Sequence, residues 1–200
     1  MNIAVFCSGN GTNLQAIIDS QKKGYIKAEI RLVVSDVPDC YALTMARNSG
    51  VKTLVVERKN FKTKKEFEAE ILKALKREDI GLIALAGYMR MLSGEFIKAY
   101  ENKILNIHPA LLPSFKGTSG IRDAFLYGVK VTGPTVHFVT EDMDAGPIIL
   151  QSAVKVTEDD TEETLAAAIH IEEHKIYPRA IQLFVEGKLK IEGRRVRILE

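Results

Sequence analysis

The sequence predicts a single α/β domain over residues 1–200: a doubly wound, mostly parallel sheet with an antiparallel part towards the C-terminus. Three features lead there. Short β-branched apolar runs alternate with segments of helical period as far as His108, giving the order βαβαβαβαβ. The run Ile80–Ala86 is apolar throughout, as a central parallel strand covered on both faces must be. Beyond residue 130, two strand-like runs, Val131–Thr140 and Ile148–Val156, are joined by a short acidic loop instead of a helix, which fits an antiparallel pair.

Composition narrows the function. With 46% hydrophobic and 27% charged residues, the chain holds enough apolar side chains for a core and is not expected to be disordered. A net charge of +2 is too mild to suggest nucleic acid as a partner. The basic surplus lies in residues 1–100, which suits a small anionic ligand better than a polyanion. Cys7 and Cys40 are the only cysteines, and their spacing suggests no metal; a reduced, cytoplasmic setting is expected. No apolar run reaches the roughly 18 residues of a membrane span, and no secretory signal opens the chain.

In order, Asn2–Ser8 reads as a buried strand, followed by the turn Gly9-Asn10-Gly11-Thr12-Asn13 and a helix carrying Leu14, Ile17 and Ile18. Thr12 or Asn13 is expected to cap that helix, whose positive end then faces the rim of the sheet and favours a phosphate. The turn completes neither G-x-G-x-x-G nor a P-loop, and a plain tight turn with no ligand fits it too. Glu29–Ser35 is a second strand; Asp39 is expected to cap a helix ended by Gly50; Lys52–Val56 is a third strand. Thr63-Lys64-Lys65-Glu66 is a capping box ahead of Phe67, Ile71, Ala74 and Leu75 on one helical face. The lysines there read as a solvated face, or, for Lys64, as a partner for an acidic substrate tail. After Ile80–Ala86 comes Gly87–Leu92, where Met89, Met91 and Leu92 are either core or the walls of a slot for a flat heterocycle.

Ile104–His108 is the fifth strand. Asn106 and His108 stand two apart, hence on one face, at the carboxyl end of a strand where open α/β sheets bind ligands. A helix over 121–127 closes at Gly128, and Gly133-Pro134 marks a bulge or edge in the next strand. Thr161 or its acidic neighbours cap a long helix that Pro178 is expected to kink or break, and residues 188–199 read as a hairpin. Asp144, in the loop Glu141–Pro147, is a carboxylate able to raise the pKa of His108; an amide and an imidazolium together hold a developing oxyanion. No Ser or Cys stands out as a nucleophile, so direct attack by a substrate group on a carbonyl fits better than a covalent intermediate. His137 reads as a packed mid-strand residue. His170 and His174, at i and i+4 with Glu172 and Glu173 between them, lack the H-E-x-x-H order, so no metal is expected there.

Four stretches in this order, Ser8–Ile17, Ala86–Leu92, Asn106–Pro109 and Gly133–Val139 through Asp144–Gly146, make the chain resemble the phosphoribosylglycinamide formyltransferases, folate-dependent enzymes of purine synthesis. The resemblance spans the full length and implies a Rossmann-like formyltransferase fold, with residues 1–100 as a phosphate-binding half and 101–200 as a catalytic and folate-binding half. It implies that the amine of glycinamide ribonucleotide attacks the formyl carbon of 10-formyltetrahydrofolate as co-substrate, with Asn106, His108 and Asp144 catalytic. Gly11, Thr12, Asn13, His170, Ile171, Glu172 and Glu173 are then expected at the ribonucleotide. Lys64, Met89, Arg90, Met91, Leu92, Asn106, Thr140, Glu141, Asp142, Met143 and Asp144 are expected at the folate. Ser119 replaces the usual His, and His170 and Glu172 also depart from the pattern. Expected partners are these small molecules, with no nucleic acid or membrane, on a monomer or homodimer. A formyltransferase for another amine, such as methionyl-tRNA or a sugar amine, or a formyltetrahydrofolate hydrolase is the nearby alternative; both kinds of relative usually carry a further domain, for which 200 residues leave no room. A nucleotide-binding module without catalysis is the alternative from a different class.

Overall fold

The protein is described over residues 1–200 by a computed structural model. Five parallel strands form the centre: β1 (Asn2–Phe6), β2 (Glu29–Ser35), β3 (Lys52–Val55), β4 (Ile80–Leu85) and β5 (Ile104–His108), in the spatial order β3-β2-β1-β4-β5. Antiparallel β7 (Thr135–Phe138) and β8 (Ile148–Gln151) extend the sheet beyond β5, and the C-terminal hairpin β10 (Leu189–Glu192) and β11 (Arg195–Ile198) completes a nine-stranded sheet. A bent segment between the halves of the two predicted long strands puts β6 (Val131–Thr132) and β9 (Val154–Lys155) into a separate two-stranded ribbon. Val131–Thr140 is therefore not one strand. At Gly133 a Cβ would sit 1.9 Å from the Ser152 carbonyl oxygen, so only glycine lets the chain step between sheets there.

Alternation along β1 divides the core. Ile3, Val5 and Cys7 point to one face, under α1 (Thr12–Lys22), α2 (Tyr41–Asn48) and α6 (Glu162–Val185). Ala4 and Phe6 point to the other, under α3 (Lys64–Arg77) and α4 (Gly94–Ala99). The short α5 (Gly120–Tyr127) packs against α6. The capping box at Thr63 forms as its sequence predicts, Thr161 and not an acidic neighbour caps α6, and Ser93 caps α4.

Three helix-end expectations are corrected. Neither Thr12 nor Asn13 caps α1: Gly11 does, in the left-handed conformation (φ 75°), with no side-chain cap. A Cβ on Gly11 would lie 2.8 Å from Ala42 Cα, so the turn presses onto α2 and leaves no room for a capping side chain. Cys40, and not Asp39, precedes α2, again without a side-chain cap. Pro178 does not break α6, which runs 24 residues. A proline costs its helix a backbone hydrogen bond, but Ile176, Tyr177, Ala180 and Ile181 around it are buried against the sheet, and that packing outweighs the local loss. Tyr177 is completely buried, and its hydroxyl donates to the carbonyls of Leu85 (2.7 Å) and Leu105 (3.2 Å), tying β4 to β5 just below Asn106. Burial holds that hydroxyl well above its ordinary pKa.

The strand order reverses between β1 and β4, the switch point at which open α/β sheets bind ligands.

Candidate active site

A cleft of about 420 Å³ opens at that switch point. It is lined by the carboxyl end of β5 with Asn106 and His108, by the turn Gly9–Asn13 that follows β1 and by the loop Gly87–Leu92 that follows the adjacent β4. The far wall is β7 and the loop Thr140–Asp144.

The antiparallel register of β5 and β7 sets the centre. Asn106 lies opposite His137, and His108 opposite Thr135. His137 Nδ1 donates to the Phe138 carbonyl (2.8 Å), which leaves Nε2 to accept from Asn106 Nδ2 at 3.2 Å. Asp144 arrives from the loop after β7 with a left-handed backbone (φ 49°). Its carboxylate stands 3.4 Å from His108 Nδ1 and 3.6 Å from His137 Nε2, and accepts from the Gly117 N–H at 2.8 Å. The loop can come this close because residue 146 is glycine: a Cβ there would lie 1.7 Å from the Phe138 oxygen. The second nitrogen of His108, Nε2, donates to the Phe115 carbonyl at 2.8 Å, and Phe115 too is left-handed (φ 52°). Two non-glycine residues in a strained conformation thus aim oxygens at one imidazole. Burial pushes the Asp144 carboxyl up, but the Gly117 N–H and the neighbouring His108 pull it down, and on balance the group sits below the ordinary carboxylate value and stays ionised. The side chains of both histidines and Asp144 are at most 10% exposed, so these interactions act with little solvent screening.

At the turn, α1 begins uncapped, and Gly9 to Asn13 line the cleft. Asn13 Nδ2 donates to buried Glu173 (2.9 Å), which also accepts from His170 Nδ1 (2.8 Å). The Glu173 bond raises the His170 pKa against an opposing effect of burial. Asn13 Oδ1 is buried without a partner. Elsewhere in the cleft Met89, Met91 and Met143 are exposed by 45–66%, while Leu85, Leu92, Ile97 and Val139 form an apolar wall. Exposed methionines around such a wall suit a flat apolar guest.

The structure therefore gathers Asn106, His108 and Asp144; Gly11, Thr12, Asn13, His170 and Glu173; and Met89, Arg90, Met91, Leu92, Thr140, Asp142 and Met143. It leaves four expected residues outside the cleft. Ile171 is exposed, and Glu172 engages Ser152 and Lys175, because both face away from His170 and Glu173 on α6. Lys64 stands 3.8 Å from Glu68, and Glu141 packs against Gly94 at the start of α4. Ser119 does not line the cleft. His137 is the residue that sequence reasoning passed over. It is packed and hydrogen-bonded as expected, yet it also orients the Asn106 amide and stands 3.6 Å from Asp144.

The formyl transferase family description matches residues 1–181. The chain belongs to the formyl transferase family. This formyl transferase is 40% identical over 191 residues to phosphoribosylglycinamide formyltransferase of Escherichia coli, a match covering 96% of this chain and 90% of that protein. It is 46% identical over 189 residues to the human trifunctional purine biosynthetic protein adenosine-3; the match takes in 94% of this chain but spans only 19% of that longer protein. Glycinamide ribonucleotide transformylase 1 from Symbiobacterium toebii has a similar structure, with a TM-score of 0.98 at 50% identity, covering 100% of this chain and 94% of that one. No helix of the chain is long and apolar enough to cross a membrane.

Proposed function

We propose that this formyl transferase acts on glycinamide ribonucleotide, moving to its amine the formyl group of 10-formyltetrahydrofolate, a step of purine biosynthesis. The observation that supports this most directly is that Asn106, His108 and Asp144 line one cleft together with the uncapped helix start at Gly11–Asn13 and with Met89, Met91 and Met143. The ribonucleotide phosphate sits on the free N–H groups of Gly11–Asn13, with its sugar towards Glu173 and His170. The folate ring lies against Leu92, Val139 and the three methionines. The substrate amine forms the new C–N bond to the formyl carbon, and the carbonyl oxygen takes the electron pair. Asn106 and the Nδ1 edge of His108 stabilise that oxyanion; the contact from Nδ1 to Asp144 is long enough for the N–H to be shared with an oxygen in the cleft. Asp144 compensates the ring's positive charge. Collapse breaks the bond to the folate nitrogen, which leaves with a proton, while the former amine loses one; His108 relays between them. No serine or cysteine lines the cleft, which supports direct transfer without an acyl-enzyme. The unpaired Cys7 and Cys40 fit a cytoplasmic setting.

Following folate absorbance with glycinamide ribonucleotide as acceptor tests the reading. The parent protein transfers the formyl group, and His108→Ala slows transfer by about 10²-fold or more. Hydrolysis of the formyl folate without transfer, or undiminished turnover in His108→Ala, would contradict it.

A further inference from the structure

We propose that Asp36, outside the cleft, is a positioning residue that couples the turn Gly9–Asn13 to the loop Gly87–Leu92, so that two segments lining the cleft are held by a single carboxylate. The residue follows directly on β2 and is buried, its side chain 4% exposed. One oxygen accepts from the Ser8 hydroxyl at 2.6 Å, immediately before the turn Gly9–Asn13. The other accepts from Arg90 Nε at 2.6 Å, in the loop Gly87–Leu92. Ser8 closes the circuit: its hydroxyl oxygen accepts from the Met89 N–H (3.0 Å), and its own N–H donates to the Gly87 carbonyl (3.0 Å). Asp36 itself does not line the cleft, so its influence on bound molecules passes through Ser8 and Arg90.

The far end of the same loop provides an internal contrast. Buried Glu68 on α3 accepts from the Ser93 N–H at 2.8 Å and from the Ser93 hydroxyl. The loop thus hangs between two buried carboxylates, of which only Asp36 also touches the turn. At the start of the loop the Tyr88 hydroxyl is buried with no partner. The segment is held at Met89 and Arg90 and again at Ser93, which makes its placement dependent on these anchors. Arg90, its Nε committed to Asp36, acts on the loop as a fastening, and its charge is already compensated.

This inference rests on the proposed function, since it assigns the ribonucleotide to the turn and the folate to the loop. Its test varies each substrate with the other saturating and measures the dissociation constant of each alone by calorimetry. An asparagine at 36 keeps the shape but loses the charge that pairs with Arg90, and it can meet Ser8 only with the direction of that bond reversed. Asp36→Asn raises the KM and the dissociation constant of both substrates about five- to tenfold, with kcat within about threefold. Ser8→Ala, which deletes only a hydroxyl, moves both constants in the same direction and guards against a folding defect at 36. Glu68→Gln raises only the folate constants. A change confined to the folate constants in Asp36→Asn and Ser8→Ala, or unchanged constants in both, would overturn the coupling. So would a fall in kcat that only tracks the folded fraction. A parent protein that binds both compounds without transferring formyl would defeat the functional reading while leaving the binding comparison decisive for Asp36.

Discussion

Replacing Asp144 by asparagine probes the site at its most charged contact. The substitution keeps shape and leaves an amide oxygen to accept from the Gly117 N–H, so the loop retains its anchor. It removes a negative charge 3.4 Å from His108 Nδ1. At an effective dielectric near 20, a full charge pair at that distance is worth about 5 kcal/mol. The low exposure of both side chains argues against much further screening, while the amide dipole and small shifts of the loop recover part of the energy. The expected loss is about 3–4 kcal/mol of transition-state stabilisation, or roughly 10²–10³ in kcat. Rapid-mixing single-turnover transfer with both substrates saturating isolates this step from binding and release. Folded Asp144→Asn that turns over within threefold of the parent would refute the electrostatic role assigned to the carboxylate.

Three further outcomes follow from the same geometry. His137→Leu removes the acceptor that orients the Asn106 amide and one neighbour of Asp144 (3.6 Å); kcat is expected to fall about tenfold or more, measured under the same conditions. Tyr177→Phe leaves the Leu85 and Leu105 carbonyls without their buried donor and is expected to cost about 1–3 kcal/mol in urea denaturation, with kcat changed less than about fivefold. Because the Asp144 carboxyl lies below its ordinary value in the folded protein, it stabilises the fold above the unfolded-state pKa, and that contribution is lost as pH falls through the lowered folded value. Acid titrations of stability are therefore expected to be steeper below about pH 4 for the parent than for Asp144→Asn.

Much of this was legible in the chain, for identifiable reasons. The two-residue spacing of Asn106 and His108 fixes their common face whatever the sheet does, because strand alternation is local. The parallel order of β1 to β5 follows from crossover helices of visible period. His137 was not legible as a site residue: its position opposite Asn106 depends on the register of β5 with β7, and long-range register leaves no mark in either strand alone. The helix caps failed where backbone approach decided the matter, as Gly11 pressing on Ala42 left no space for a capping side chain. Pro178 failed in the opposite sense, since buried neighbours overrode a local breaker. Ile171 and Glu172 entered as part of a contiguous stretch, although a helical period of 3.6 brings His170 and Glu173 to one face and turns the two between them away. Lys64 was placed by its charge, and the chain offers it Glu68 within its own helix.

The central claim is that formyl transfer occurs where Asn106, His108 and Asp144 meet. A crystal structure with an inert 10-formyl folate analogue and glycinamide ribonucleotide both bound tests it most directly. The account predicts the ribonucleotide phosphate on Gly11–Asn13, and the formyl oxygen within hydrogen-bond reach of Asn106 and His108 Nδ1, with the amine about 3–3.5 Å from the formyl carbon. A formyl group seated away from these two side chains, with the amine in line for attack there, would contradict it.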